Sequence, residues 1–175
     1  MYNFPDLDEQ TRLNMIGELE LDIRTGMFYN PVSMTDYGLM NYKRVIRTCF
    51  ERGNVHTLIN SLTSDYFKQY DNNGRKIPSN IREMIAFNDF NRYYIRALLL
   101  RAISEKKILH VYRAKQVKNE RKQSETVINN VYFDERQMWN MLSLFRDYRK
   151  LFNMKPQPVL LKPNSGLSVR LVNVS

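Results

Sequence analysis

Apolar residues recur three or four positions apart over most of the chain, with charged residues between them. This spacing is typical of helices that bury one face, and it predicts five of them. We expect these helices near residues 6–25, 35–52, 54–70, 80–107 and 134–152. The candidate N-terminal caps are Asp6, Ser33 or Thr35, Asn54 and Asp134. The centre of the fourth segment, residues 90–101, is the most apolar and most basic part of the chain, so we expect this segment to be the central helix, with a break at residues 88–89 as an alternative.

The segments outside these helices lack helical spacing and are predicted to be strands or loops. Residues 109–112 predict a short strand, and residues 116–124 are polar and without periodicity, which predicts a loop or exposed arm. Pro156 ends the last helix. Residues 159–162 and 167–172 are rich in strand-forming residues and flank a group of turn-forming residues, which predicts a C-terminal hairpin.

This hairpin is expected to be an assembly arm that pairs with another chain, because two strands alone are marginal in water. Pairing inside the chain, with residues 109–112 and 131–133, is the alternative. The residues of the candidate arm are Val159, Leu161, Lys162, Asn164, Gly166, Val169, Arg170 and Leu171. The predicted fold class is mainly α, with a helical domain over residues 1–155 and an extended arm over residues 156–175.

The composition is that of one globular domain, since 43% of the 175 residues are hydrophobic. No stretch approaches the roughly 18 consecutive apolar residues of a membrane span, and the start of the chain carries acids where a secretory signal carries bases. A single cysteine cannot form an internal disulfide. We therefore expect a protein of a reducing cytoplasm, or of a particle assembled there, without membrane contact.

Few residues are available for chemistry. Cys49 lies on the apolar side of its predicted helix, which favours an inert core thiol. His56 follows a helix cap and His110 lies in a short strand, and both positions favour structural roles. The six glycines form no phosphate-binding cluster. The sequence thus predicts no catalytic residue, no metal site and no cofactor, and we expect a protein that is not an enzyme.

Charge is unevenly distributed along the chain, whose net charge is +9. Residues 1–26 hold six acids and two bases, whereas residues 92–122 hold ten bases and two acids. The basic block is a candidate contact for nucleic-acid phosphates or an acidic protein, with solvated helix faces as the alternative. Its candidate contact residues are Arg92, Arg96, Arg113, Lys115, Lys118, Arg121 and Lys122.

Four segments carry a resemblance to known proteins. They are residues 6–12 (DLDEQTR), 90–96 (FNRYYIR), 111–117 (VYRAKQV) and 163–171 (PNSGLSVRL). Together they resemble a family of tailed-bacteriophage virion structural proteins, and the resemblance spans nearly the whole chain. The usage of Lys, Asn, Tyr and Ile is similar to that of phages of AT-rich hosts, such as the short-tailed crAss-like phages.

The resemblance implies a structural role in the virion. Within that class we favour a head-to-tail connector, a homo-oligomeric ring of about 12 copies below the portal, through which DNA passes during ejection. Its partners would be further copies of the chain, the portal and other tail or ring proteins, with non-specific DNA contact. The acidic N-terminal segment and the basic block would then form complementary faces of neighbouring subunits. An auxiliary capsid protein and a basic DNA-binding or packaging protein are the alternatives.

Overall fold

Helices make up most of the fold, with a small sheet at the C-terminal end. The structure is a computed structural model and describes residues 2–115, 122–132, 134–156, 158, 160 and 165–173. The first half of the chain contains α1 (Glu9–Thr25), α2 (Asp36–Arg52), α3 (Val55–Ser61), a 3-10 helix (Ser64–Tyr66) and α4 (Ile81–Glu105). The second half contains β1 (Ile108–Arg113), α5 (Lys122–Glu125), β2 (Val131–Tyr132), α6 (Glu135–Arg146), α7 (Tyr148–Asn153) and β3 (Leu167–Val172). A mainly α domain is therefore confirmed.

The central helix is α4, as predicted. Nearly all of its side chains between Ala86 and Ala102 are buried, because α1, α3, α6 and β3 pack around it. The helix runs through residues 88–89 without a break, so that alternative is wrong. Asp89 does not cap a second segment, since its side chain is buried and accepts a hydrogen bond from the Tyr42 hydroxyl.

Helix boundaries follow the capping residues. Thr35, Asn54 and Asp134 accept hydrogen bonds from the first turns of α2, α3 and α6, as the sequence predicted. The first helix differs, since Asp8 rather than Asp6 is its cap and accepts from the Thr11 amide.

Three elements differ from the prediction. The third helix ends at Ser61, and Tyr66 lies in the 3-10 helix instead. The last helix is divided at Asp147, whose side chain caps α7. The expected loop over residues 116–124 is helical from Lys122, whereas residues 116–121 lie outside the described residues.

The three strands form an antiparallel sheet in the order β2-β1-β3. Ile108 of β1 lies opposite Val172 of β3, and Arg113 lies opposite Leu167, so the two strands pair over their full length. Leu167 and Val169 are completely buried. The predicted intermolecular pairing of residues 167–172 is thus corrected, because this strand completes the chain's own sheet; residues 159 and 161–164 of the predicted hairpin lie outside the described part of the chain.

The residues ahead of α1 connect the sheet to α4. The Phe4 ring packs on the rings of Phe90 and Tyr94, at centroid distances of 5.2 and 4.8 Å. The Asn3 amide donates to the Ala114 carbonyl beyond β1 (2.8 Å). This short N-terminal segment is therefore part of the core.

Candidate functional site

Arg96 lies at the interface of α4 and α1 and is fully buried. Its guanidinium donates to Glu18 Oε2 (2.7 Å) and to both carboxylate oxygens of Asp22 (2.6 and 2.8 Å). Arg146 of α6 donates to the remaining side of Glu18, and the Tyr93 hydroxyl donates to Asp22 (2.8 Å). This cluster joins three helices through one buried charge network.

The cluster fixes the ionisation of Glu18. Burial raises the pKa of this carboxyl, but the hydrogen bond from Arg146 and the charge of Arg96 outweigh burial and hold the pKa below its ordinary 4.5. Glu18 is therefore a carboxylate at neutral pH, although only 3% of its surface is exposed.

Arg92 is also buried, with 3% of its surface exposed. Its closest carboxylate oxygen is Asp89 Oδ1 at 3.9 Å, and its guanidinium lies 5.1 Å over the Tyr93 ring. Burial raises the pKa of Asp89 in spite of the Arg92 charge. Arg92 and Arg96 were predicted to face DNA or a partner, and that prediction is wrong, because their shared face of α4 is covered by packed helices.

The charge complementarity expected between subunits occurs inside the chain. Arg101 donates to Asp8 at the start of α1 (2.7 Å) and to Glu105 on its own helix (2.6 Å). Acids of the N-terminal segment thus pair with bases of the central block within one molecule. Arg96 and Arg101 therefore pair with acids of their own chain, and an electrostatic contact between neighbouring copies stays a prediction for the other charges of the two segments.

The remaining predicted basic residues occupy different surroundings. Arg113 is half-buried, with Nη1 3.5 Å from the Ser165 carbonyl oxygen. Lys115 donates to the Tyr2 hydroxyl (3.0 Å) and lies 4.5 Å over that ring. Lys122 is exposed, whereas Lys118 and Arg121 lie outside the described residues.

Most of the described arm residues hold the sheet. Gly166 has a positive φ of 66°, and its carbonyl accepts from the backbone amides of Ala114 and Lys115. Val169 is buried, and Arg170 Nε donates to His110 Nδ1 (3.1 Å). Outside the described residues lie Val159, Leu161, Lys162 and Asn164.

The described parts of the four resembling segments meet in one place. Asp6 accepts from the Leu171 amide of β3 (2.9 Å), and the Asp6 amide donates to the Tyr94 hydroxyl (3.1 Å). Asn91 Nδ2 donates to the Leu167 carbonyl (2.9 Å). Outward-facing backbone groups at both ends of β3 are therefore bound inside the chain, which opposes strand addition by another protein along this edge.

A surface groove of about 810 Å³ lies between the 3-10 helix, the loop of residues 67–77 and the start of α4. We call it the groove and define it by Lys68, Tyr70, Lys76 and Arg82. Leucine, isoleucine, phenylalanine and proline side chains also line it, and Asp65 is its one carboxylate. Its volume is in the roughly 300–1,000 Å³ range of sites that bind ligands.

The loop beside the groove is held in place by backbone contacts. The Thr35 amide donates to the Tyr66 carbonyl, and the Lys68 amide donates to the Ser33 carbonyl (both 2.9 Å). A Cβ atom at Gly38 would lie 2.5 Å from the Tyr66 carbonyl oxygen, so the close approach of α2 requires glycine there. The groove therefore has a rigid side.

Exposed apolar residues surround this region. Tyr70 is 56% exposed, and Tyr37 is 53% exposed while its ring packs edge-on against Tyr66. Val32 is also exposed, and its carbonyl accepts from Lys68 Nζ (3.0 Å). Exposed apolar groups beside a cleft mark interaction sites. None of these residues was predicted from the sequence as part of a site.

The cysteine lies in the core, and both histidines take part in hydrogen bonds. Burial raises the pKa of the Cys49 thiol to about 11, which confirms the predicted core role. His56 Nε2 accepts from the Tyr2 amide, and His110 contacts Asn129 and Arg170. Within the described ranges no group of three or more His, Cys, Asp or Glu side chains could hold a metal ion. Nor is any described helix long and apolar enough to cross a membrane.

Comparison of the chain with protein-family models, with curated proteins and with solved structures gives no significant match.

Proposed function

We propose that the chain is a non-enzymatic structural subunit of a tailed-phage virion and that it serves as a head-to-tail connector below the portal. The observation that carries the proposal is that the described parts of the four resembling segments converge around Asp6, Tyr94 and β3. Segments far apart in the chain build one continuous part of the core. The resembling residues therefore belong to one connected part of the fold and are not four separate surface stretches.

The character of the molecule supports a structural role. α1, α4 and α6 are joined by buried ion pairs, and the N-terminal segment fixes the sheet to α4. Breaking one partner of such a pair is costly, which favours a rigid body. Rigid subunits with an exposed cleft are suited to repeated, identical contacts in a ring.

Absolute quantification of purified virions by mass spectrometry tests the proposal, with the portal and the major capsid protein as internal standards. We expect a fixed ratio of about one copy per portal subunit, as for a ring of about 12. Absence of the protein from virions, or a copy number comparable to that of the capsid protein, would refute the connector role. In the second case the protein would be an auxiliary capsid protein.

The second candidate function is non-specific DNA binding, favoured by the charge balance. The ion pairs found among the described residues join six acids to six bases, so the net charge of +9 resides on the rest of the chain. Phosphate contacts release counterions, so binding of a DNA duplex should weaken by orders of magnitude between about 50 and 200 mM salt. Replacing Arg113, Lys115, Lys118 and Arg121 by alanine should reduce this binding; undetectable binding at low salt would exclude the function.

A further inference from the structure

We infer that the groove binds the exposed start of α6 from a second copy of this chain. We call the partner surface the α6 face and define it by Asp134, Glu135 and Trp139. Only the closure of copies into a ring rests on the proposed function. The contact itself is inferred from the complementary charge and apolar character of the two surfaces.

The groove offers cations around an apolar lining. Lys76 and Arg82 are exposed, and Lys68, whose Nζ donates to the Val32 carbonyl (3.0 Å), also lines the groove. With Asp65 as the one carboxylate, the groove has a net positive charge. An occupant must therefore combine apolar surface with negative charge.

The α6 face has this combination. Trp139 is the only tryptophan of the chain and is 45% exposed. Its indole Nε1 donates to Glu135 Oε1 (3.2 Å). The carboxylate of the first helical residue and the aromatic ring one turn later therefore lie side by side on the helix. Asp134 is exposed beside them as the helix cap, and with the exposed Arg136 that follows Glu135 the start of α6 keeps a negative net charge. Tryptophan is among the residues that contribute most binding energy at protein interfaces.

Two observations favour protein over nucleic acid in the groove. Asp65 would repel phosphates, and the lining includes the half-buried Phe67 and Ile77 in addition to the exposed ring of Tyr70. Single-stranded nucleic acids bind grooves that combine positive charge with several stacking rings. An acidic, aromatic protein surface is the better complement.

The groove and the α6 face are different surfaces of one chain, so the contact is heterologous. Each copy would offer one groove and one α6 face, and copies would add head to tail until a ring closes. The contact between the groove and the α6 face does not involve Arg96 or Arg101, because both arginines pair with carboxylates of their own chain.

Sedimentation of the purified full-length chain over a concentration series tests the contact. We expect assemblies larger than a monomer and a blue shift of Trp139 emission as they form. Lys76→Glu with Arg82→Glu should weaken association at least about tenfold, and so should Glu135→Lys with Trp139→Ala. Arg24→Glu with Arg52→Glu is the matched control, since it makes the same charge change on exposed residues outside both surfaces. Circular dichroism melting should be the same for all variants.

Mixing the two defective variants gives the decisive result. Each retains one intact surface, so the mixture should form a one-to-one dimer that does not grow. A wild-type chain that stays monomeric at the highest concentration, or assembly that is unaffected by the groove variants, would overturn the inference. So would a monomer that binds a labelled oligonucleotide through Lys76 and Arg82. The copy number in virions does not depend on the result of this experiment, so the connector proposal and the contact between the groove and the α6 face are tested separately.

Discussion

Arg96 carries a positive charge that is fully removed from water, and the two carboxylates that face it are almost as buried. The desolvation of such groups is compensated only while all partners are present. Replacing Arg96 by methionine leaves Glu18 and Asp22 without their central cation. We expect the free energy of unfolding to fall by about 3–5 kcal/mol, measured by urea denaturation.

The matched control for this substitution is Arg24→Ala, which removes an exposed arginine at the end of α1. Its effect should stay within about 0.5 kcal/mol, as for ordinary surface positions. If Arg96→Met lowers the free energy of unfolding no more than Arg24→Ala does, the buried ion-pair network contributes no stability.

Glu18 also predicts the acid sensitivity of the fold. Its pKa is lower in the folded chain than its ordinary 4.5, in spite of burial, because Arg146 and Arg96 stabilise the carboxylate. A lowered folded pKa stabilises the fold above the unfolded pKa, and this contribution is lost as pH falls through the folded pKa. Stability of the wild type should therefore decline below about pH 4.5, and the decline should be shallower in Glu18→Gln. Urea denaturation at several pH values measures both; identical pH dependence in the two proteins would contradict the assignment.

At the scale of elements, the approach of the 3-10 helix to α2 depends on one glycine. Gly38→Ala would place a methyl group against the Tyr66 backbone, and we expect a loss of about 1–3 kcal/mol. Gly17→Ala is the matched control, because Gly17 lies in α1 with no atom near its absent side chain. That substitution should raise stability by about 0.5–1 kcal/mol. Thermal melting compares the two, and a neutral Gly38→Ala would show that the turn can shift away from α2.

Element boundaries could be predicted where a local signal decides them. Thr35, Asn54 and Asp134 cap helices because their side chains bind backbone within three residues, and that relation is visible in sequence. The end of the third helix could not be predicted this way, because contacts of Tyr66 with α2 outweigh its helical spacing.

The candidate surfaces were harder to predict than the elements. A run of bases looks the same in sequence whether it faces water or a buried carboxylate, so Arg92 and Arg96 were wrongly placed on the surface. The partners of Arg96 lie more than 70 positions away on α1, and Arg92 is buried beside Asp89 and Tyr93 of its own helix. The groove joins Thr35 to the start of α4 through tertiary contacts that no local pattern encodes.

For the whole molecule, the C-terminal strand decides whether the domain is complete. Removing residues 156–175 would uncover β1 and leave Asp6 and Asn91 without their partners on β3. We expect the truncated chain to lose cooperative thermal unfolding, measured by circular dichroism. A chain that ends at Val172 is the control and should melt like the wild type. If the chain without residues 156–175 melts like the full-length protein, β3 is not needed for the stability of the domain and can pair with another chain.

The meeting of Asp6 with β3 also has a consequence for biosynthesis. The Asp6 carboxylate and the Leu171 amide are 165 positions apart, so the bond between them forms only after the whole intervening chain has been synthesised. Until then the faces of β1 and α4 that β3 covers remain exposed to water and to other chains. A chain therefore reaches its final shape only after β3 has paired with β1.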